Sequence, residues 1–288
     1  MAKKYKRTIL ATMSDSHGGH ILGLANPETE LQDDERGYYN PELNPYQIYL
    51  WNKIYLPAIE DTVKLAEKDN IYLFHIGDAT QGNKYPNEQM TTRPADQFRL
   101  AKWNLMPWLH YKNVKAVRIA KGTSSHAFGE GTSEILLEDV LSDKYPKIDI
   151  RTVYHGLAEI GGIKIDYTHH GPGQSIRKWL EGNTARYYLR DKMWKEILAG
   201  NIPPELFLRG HFHEYIREIL EIQQGKDWYE SMLVVVPSLC GIGDYARQIT
   251  KSVYQITNGI IVFEIINGQI YQTYKFIETI DTRTKEAL

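Results

Sequence analysis

The feature that most constrains this chain is a series of five blocks rich in Asp and His, each at the end of a short apolar run. In chain order, the blocks are Asp15-Ser16-His17, Gly77-Asp78, Gly122–His126, His169-His170 and Gly210–His213. Carboxylates and imidazoles gathered at strand ends are the ligands that a hydrolytic site with two metal ions requires. The pattern therefore predicts a metal-dependent hydrolase.

The apolar runs of the first half alternate between strand and helix periodicity. Strands are predicted at 7–14, 71–77 and 114–120, and helices are predicted at 46–68, 94–109 and 133–141. Alternation of this kind is typical of an α/β sheet whose parallel strands are buried between helices. The long segment 20–46 lacks either periodicity, and we expect an irregular connection there.

The second half is richer in predicted strands. They cover 148–154, 157–160, 163–168, 206–210, 215–222, 229–236, 259–265 and 269–276, and one long helix is predicted at 176–199. Gly161-Gly162 and Asn267-Gly268 are signals for two-residue hairpins. Because no repeat or low-complexity linker interrupts the chain, we expect residues 1–288 to form one domain, a two-sheet α/β sandwich flanked by helices.

Composition narrows the function classes further. The net charge is −2, which does not indicate a nucleic-acid or membrane partner for the chain as a whole. No apolar run approaches the roughly 20 residues of a membrane helix, and the basic start lacks the longer apolar core of a signal peptide. Cys240 is the single cysteine, so no internal disulfide can form. We expect a cytoplasmic protein without a membrane partner.

The spacing within the blocks suggests how the ligands converge. Asp15 and His17 alternate by two, as do His211 and His213, so each pair is expected to leave an extended strand end on one side. A carboxylate has two oxygens, and Asp78 can therefore bridge two ions.

Four further residues have open roles. His169 and His170 are adjacent, and neighbouring side chains on a strand point opposite ways, so one ligand is expected from this pair. His20 follows His17 by three residues and is expected to line the pocket. Arg177 lies at the expected start of a helix, which suits a phosphate, although an ordinary surface arginine is the competing interpretation.

Four of the five blocks match, in order, those of a known family across residues 13–213. They are Asp-x-His, Gly-Asp-x-x-x-Gly, a His before Gly, and Gly-His-x-His, and with them the chain resembles the calcineurin-like metallophosphoesterases. The resemblance implies a four-layer α/β/β/α sandwich and two divalent ions, commonly Mn, with Fe, Zn or Ni as alternatives. The first block and the Gly-Thr-x-x-His block also resemble uncharacterised phosphohydrolases carried by phages and prophages.

The resemblance also implies a ligand set. The first ion would be held by Asp15, His17 and His213, Asp78 would bridge, and the second ion would be held by His170 and His211, with His169 as the alternative to its neighbour. The third block departs from the family, which has Asn followed by His. Alignment from Gly122 puts Thr123 in the place of the Asn, whereas alignment from His126 puts Ser125 there. His126 is then the catalytic acid or a replacement ligand.

These residues together predict the hydrolysis of a phosphate ester. The ions would polarise the phosphoryl oxygens and make a bridging hydroxide available for attack, and His126 would protonate the leaving group. The first hypothesis is a phosphodiesterase acting on nucleic acid or a nucleotide. The alternatives are a phosphomonoesterase acting on a nucleotide or phosphoprotein, and a metal-binding protein of the same fold without turnover. The sequence leaves the oligomeric state open.

Overall fold

The computed structural model describes residues 6–35, 37–129, 131–172, 181–243 and 254–286. Its strands are β1 (Thr8–Met13), β2 (Leu31–Asp33), β3 (Gly37–Tyr39), β4 (Asn70–His75), β5 (Val114–Ala120), β6 (Asp149–Val153), β7 (His155–Ile160), β8 (Ile163–Thr168), β9 (Leu206–Arg209), β10 (Ile216–Gln224), β11 (Asp227–Val235), β12 (Gln255–Ile266) and β13 (Gln269–Asp281). Its α-helices are α1 (Pro45–Tyr49), α2 (Leu56–Ala66), α3 (Pro94–Leu109), α4 (Thr132–Lys144) and α5 (Glu181–Leu198).

The strands form two large sheets and one small hairpin. The six-stranded sheet has the order β13-β12-β1-β4-β5-β6, and the five-stranded sheet has the order β10-β11-β9-β8-β7. In the larger sheet β1, β4, β5 and β6 are parallel, as the alternation of strand and helix predicted. In the smaller sheet β8, β9 and β11 are parallel. The prediction of a mixed α/β fold is confirmed.

Both faces of the central strand β1 are buried. Neighbouring side chains of a strand point to opposite faces, and Ile9 packs in a cluster with residues of α1 to α4. Leu10 packs instead in a second cluster, which contains residues of both large sheets, among them Phe263 and Leu208. A third cluster joins α5 to the five-stranded sheet. Burial on both faces explains why β1 reads as a continuous apolar run.

The helical region predicted at 46–68 is continuous but not uniform. Asn44 begins it with a capping box, in which its side chain accepts a hydrogen bond from the backbone N–H of Gln47 and the Gln47 side chain accepts one in return. Between α1 and α2, Leu50–Tyr55 is π-helical, which residue periodicity does not reveal. The segment expected to be irregular contains the hairpin of β2 and β3.

The two predicted two-residue hairpins are present. Ile160 pairs with Ile163 around Gly161-Gly162, and Ile266 pairs with Gln269 around Asn267-Gly268. The ladder of β12 and β13 continues beyond the predicted ends, with Gln255 paired to Asp281. The predicted helix at 176–199 is seen from Glu181 onward, and its first residues lie outside the described part of the chain. Within the described residues, no helix combines the length and apolar content that crossing a membrane would require.

Replacement of Phe263 by Ala tests the contact between the two large sheets. Phe263 is fully buried in the cluster that both sheets share, so we expect a loss of about 3–5 kcal/mol in the free energy of unfolding. Urea unfolding measures this loss. Tyr271→Ala, at a site that is 71% exposed, should change it by no more than about 0.5 kcal/mol. A loss below about 1 kcal/mol for Phe263→Ala would contradict a shared core.

Candidate metal centre

The candidate residues follow the carboxyl ends of five strands. Asp15 and His17 follow β1, Asp78 follows β4, and the third block follows β5, and these three strands are parallel neighbours. The fourth and fifth blocks follow β8 and β9, which are parallel neighbours in the other sheet. Parallel neighbours end at the same edge of a sheet, which is where ligands bind in open α/β sheets. Two such edges meet here.

Gly210 and Asp15 make the contact between the two edges. The backbone N–H of His211 donates to Asp15 Oδ2 at 3.1 Å, and the Ser14 hydroxyl donates to the same oxygen. A Cβ on Gly210 would overlap the Ser14 hydroxyl and stand 2.8 Å from the Ile76 carbonyl oxygen. Only glycine allows this approach, so steric overlap restricts position 210 to glycine.

The structure corrects the expected alternation of side chains. Asp15 and His17 have φ angles of 49° and 43°, and His211 and His213 have φ angles of 75° and 54°. Neither pair lies on an extended strand, because each has turned into the left-handed region after its strand has ended. Of the eight non-glycine residues with positive φ in the described ranges, five are candidate ligands, Asp78 being the fifth. Such strain is typical of functional sites.

The first group of potential ligands contains Asp15, His17 and His213. Nε2 of His213 lies 3.3 Å from Asp15 Oδ1 and 3.2 Å from Nε2 of His17. Asp15 is fully buried, and its Oδ1 forms no hydrogen bond with any described residue. A buried carboxylate oxygen left without a hydrogen bond and faced by two imidazole nitrogens fits a divalent cation.

The second group is centred on Asp78. Nε2 of His169 lies 3.0 Å from Asp78 Oδ2. The Thr123 N–H donates to Asp78 Oδ1 at 2.6 Å, and its hydroxyl lies 3.2 Å from Nε2 of His169 and 3.4 Å from Nδ1 of His211. The structure thus brings Thr123 rather than Ser125 to these ligands, and hydrogen bonds from Ser125 to them are absent among the described residues.

The two histidines of the fourth block differ in burial. The resemblance implies His170 as the ligand with His169 as the alternative, and the choice between them stays a prediction. His170 is exposed, as is His211, whereas His169 is fully buried against Asp78. Nδ1 of His169 donates to the Ile76 carbonyl oxygen at 2.6 Å, which turns Nε2 towards the carboxylate. His170 still lies at the rim, since its ligand atom is within 4.8 Å of those of His169 and His211. Sequence could not separate adjacent histidines, because the strand ends at Thr168.

Asp78 lies between the two groups. Ligand atoms of Asp15, Asp78 and His169 lie within 4.8 Å of one another, and so do those of His17, Asp78 and His126. One carboxylate thus adjoins histidines from both sides. This is the position that a bridging ligand occupies in a two-ion site.

His126 has a fixed orientation. Its Nδ1 donates to the Gln81 carbonyl oxygen at 2.6 Å, so Nε2 is the nitrogen left to face the site. The ring stands edge-on to His17 with 4.6 Å between centroids, and it is partly exposed. The sequence could not reveal the carbonyl that orients His126, because any residue at position 81 supplies one.

The imidazoles of the site differ in the direction in which their surroundings shift their pKa values. Burial and then the neighbouring His126 lower the pKa of His17 well below its ordinary value, and burial lowers that of His211 to about 4. Both rings are neutral at neutral pH and can ligate a metal. Burial also acts to lower the pKa of His169, but the negative charge of Asp78 outweighs it and raises that pKa to about 10. His169 is thus cationic without an ion.

Two residues with predicted substrate contacts have different outcomes. His20 is buried, with its Nδ1 accepting from the Leu22 N–H at 2.8 Å and its ring centroid 6.3 Å from that of His17. It therefore lies beside the site with one nitrogen engaged, and its role in substrate binding stays a prediction. Arg177 lies outside the described residues.

Comparison with known proteins adds little. No protein-family model matches the chain, and no curated protein matches it. A protein of unknown function from Aquifex aeolicus matches at 14% identity and a TM-score of 0.28, over 72% of this chain and 80% of its own. A metallophosphoesterase from Sphaerobacter thermophilus matches at 10% identity and a TM-score of 0.34, over 96% of this chain and 89% of its own. Because both TM-scores are below 0.5, neither match bears on function, which has to be inferred from the geometry of the site.

Replacement of each adjacent histidine by Ala tests which one binds metal. We expect His169→Ala to weaken the binding of one Mn²⁺ by at least about 100-fold, and His170→Ala to weaken it by less than about 10-fold. Calorimetric titration with Mn²⁺ measures both, with His110→Ala as a control on an exposed histidine outside the groups. The reverse order of losses would restore His170 as the ligand.

Proposed function

We propose that this protein hydrolyses a phosphate ester with the help of two divalent metal ions. One observation carries the proposal, namely the fully buried Asp15, whose Oδ1 lacks a hydrogen bond among the described residues and faces two imidazole nitrogens. Such a carboxylate is costly to bury unless a cation compensates it. Asp78 is a second buried carboxylate with ligand atoms 4.8 Å away or less, and it adjoins histidines of both groups.

The residues suggest two ligand sets. Asp15, His17 and His213 would hold one ion, Asp78 would bridge, and His169 and His211 would hold the second with the Thr123 hydroxyl beside them. When bound, the two ions would bind the phosphoryl oxygens and promote the ionisation of a water molecule near neutral pH. We propose Mn as the ion, although carboxylates and imidazoles also suit Fe, Zn and Ni.

His126 would supply the proton that the leaving oxygen takes up. In hydrolysis, a bond forms between a water oxygen and phosphorus while the bond from phosphorus to the leaving oxygen breaks. The leaving alkoxide needs a proton, which Nε2 of His126 would donate from the ring protonated on both nitrogens, because Nδ1 keeps its own hydrogen on the Gln81 carbonyl. Its ring contacts His17, so the proton donor stands next to the first ligand group.

We further infer the fold family from these observations. The three core clusters support a helix–sheet–sheet–helix stack of one domain, since they join α1 to α4 with the larger sheet, the two sheets with each other, and α5 with the smaller sheet. That stack and the ligand blocks are those of calcineurin-like metallophosphoesterases, with the phage and prophage members as the proposed branch. The Gly-His-x-His block favours a phosphodiester, and nucleic acid or a nucleotide is the proposed substrate.

A pair of chromogenic esters tests the reaction class. We expect the protein with Mn²⁺ to hydrolyse bis-p-nitrophenyl phosphate, a diester, with a larger kcat/KM than p-nitrophenyl phosphate, a monoester. The release of p-nitrophenolate measures both rates. Turnover of the monoester alone would indicate a phosphomonoesterase. Absence of turnover with Mn, Fe, Zn and Ni alike would indicate a metal-binding protein of this fold.

His126→Ala separates a proton donor from a metal ligand. If His126 is the acid, the variant keeps both ions but loses about 10²–10⁴-fold in rate on an alkyl diester. The loss should be much smaller on bis-p-nitrophenyl phosphate, because p-nitrophenolate leaves without protonation. Elemental analysis of the metal content accompanies the rates. A variant with one ion per chain, and with the same loss on both esters, would identify a ligand instead.

A further inference from the structure

The connection after β4 carries an aromatic ring and a cation to the edge of the candidate metal centre. Tyr85 is partly buried, and its ring centroid lies 6.4 Å from that of His126 with 39° between the planes. The Lys84 ammonium lies 5.3 Å from the Tyr85 ring centroid, on an exposed side chain. We call these two residues the Lys84–Tyr85 platform.

The position of the platform is set by the frame of the site. Gly82 has a φ of 71°, and a Cβ on it would overlap the Ser125 carbonyl oxygen, so the chain turns directly against the His126 backbone. The side-chain amide of Gln89 donates to the Gly82 carbonyl oxygen at 2.7 Å and closes the loop. The Ile21 N–H donates to the Glu88 carbonyl oxygen at 2.9 Å and ties the loop to the β1 side. Tyr85 is therefore held in place beside His126.

We propose that the Lys84–Tyr85 platform binds the nucleoside on the leaving-group side of a phosphodiester, with its base stacked on Tyr85. This inference rests on the proposed function, in which His126 protonates the leaving oxygen. A leaving group that receives its proton from His126 must extend past the His126 ring, and Tyr85 is an aromatic residue beside that ring. Bases stack on tyrosine rings with little regard to sequence.

Distances favour a nucleoside over the ring of a phosphotyrosine. The centroid of His126 is 4.6 Å from that of His17, and the centroid of Tyr85 is 6.4 Å from that of His126. In an aryl ester the leaving oxygen is bonded to the ring itself, which would place that ring at His126. In a nucleotide, a sugar separates the leaving oxygen from the base. The base would therefore lie farther from the leaving oxygen, beside Tyr85.

Lys84 adds a positive charge to the platform. A stacked base displaces its ammonium from the Tyr85 ring, and the flexible stem of a lysine allows the charge to reach a phosphate of the same strand. Lys84→Gln should therefore reduce kcat/KM more for a leaving nucleoside that carries a second phosphate than for one without it. The difference should shrink at high salt, because salt screens exposed charges.

Dithymidine phosphate and two analogues, each lacking one of the two bases, test the stacking. With Mn²⁺, the unmodified protein should have a kcat/KM about 10-fold lower for the analogue without the leaving-side base. Tyr85→Ala should raise KM for dithymidine phosphate about 10-fold and leave that analogue unchanged. Tyr85→Phe should retain the unmodified values, and Tyr271→Ala on β13 serves as the matched control.

Each other outcome overturns the proposal. Equal losses on all three compounds would make Tyr85 a support of the loop, and no loss would exclude contact. A loss confined to p-nitrophenyl phosphate would indicate an aryl monoester. If the unmodified protein hydrolyses none of them, turnover of bis-p-nitrophenyl phosphate decides on the proposed function, and calorimetric titration decides on the platform. Tyr85→Ala would then weaken binding of dithymidine phosphate alone, whereas unchanged binding would refute the platform too.

Discussion

The contact between Asp15 and the Gly210-His211 step is the interaction on which the candidate site depends. It joins the end of β1 in one sheet to the end of β9 in the other, and it satisfies one oxygen of a fully buried carboxylate. The second oxygen is left facing His17 and His213. Burying a carboxylate with one oxygen unsatisfied costs several kcal/mol, so the fold alone does not explain this arrangement. A cation in the same place, as we propose, would compensate this cost.

The backbone at the site is strained, and the two sheets hold it. A left-handed conformation costs an ordinary residue roughly 1–3 kcal/mol, and five candidate ligands adopt it. Each of these residues lies within about four residues after the end of a buried parallel strand, so the ladders fix where the turn begins. Tight turns at strand ends bring side chains from two sheets to one point. The tight turns therefore both lower the stability of the fold and bring the candidate ligands together.

Sequence patterns predicted the strands and the blocks better than they predicted the geometry within a block. Because β1, β4 and β5 are buried on both faces, their sequences are largely apolar and could be recognised as strands. The positions of Asp15 and Asp78 at strand ends followed from these predictions. The burial of His169 rather than His170, and the contact of Thr123 rather than Ser125 with the candidate ligands, depended on turn conformations after the strands had ended. Those conformations are set by contacts distant in sequence, such as the Ile76 carbonyl that orients His169. Periodicity carries no information about such contacts.

The connection after β4 organises the site more than any other segment. Its residues 76–82 supply the Asp78 carboxylate, the carbonyl that orients His169 and the carbonyl that orients His126. The same connection then turns at Gly82 towards Tyr85. Because a shift of this segment would move a ligand, two imidazoles and the platform together, substitutions within it should not have independent effects. The proposed bridging ligand Asp78 and the proposed leaving-group contact Tyr85 thus lie on one connection, which also orients His169 and the proposed proton donor His126.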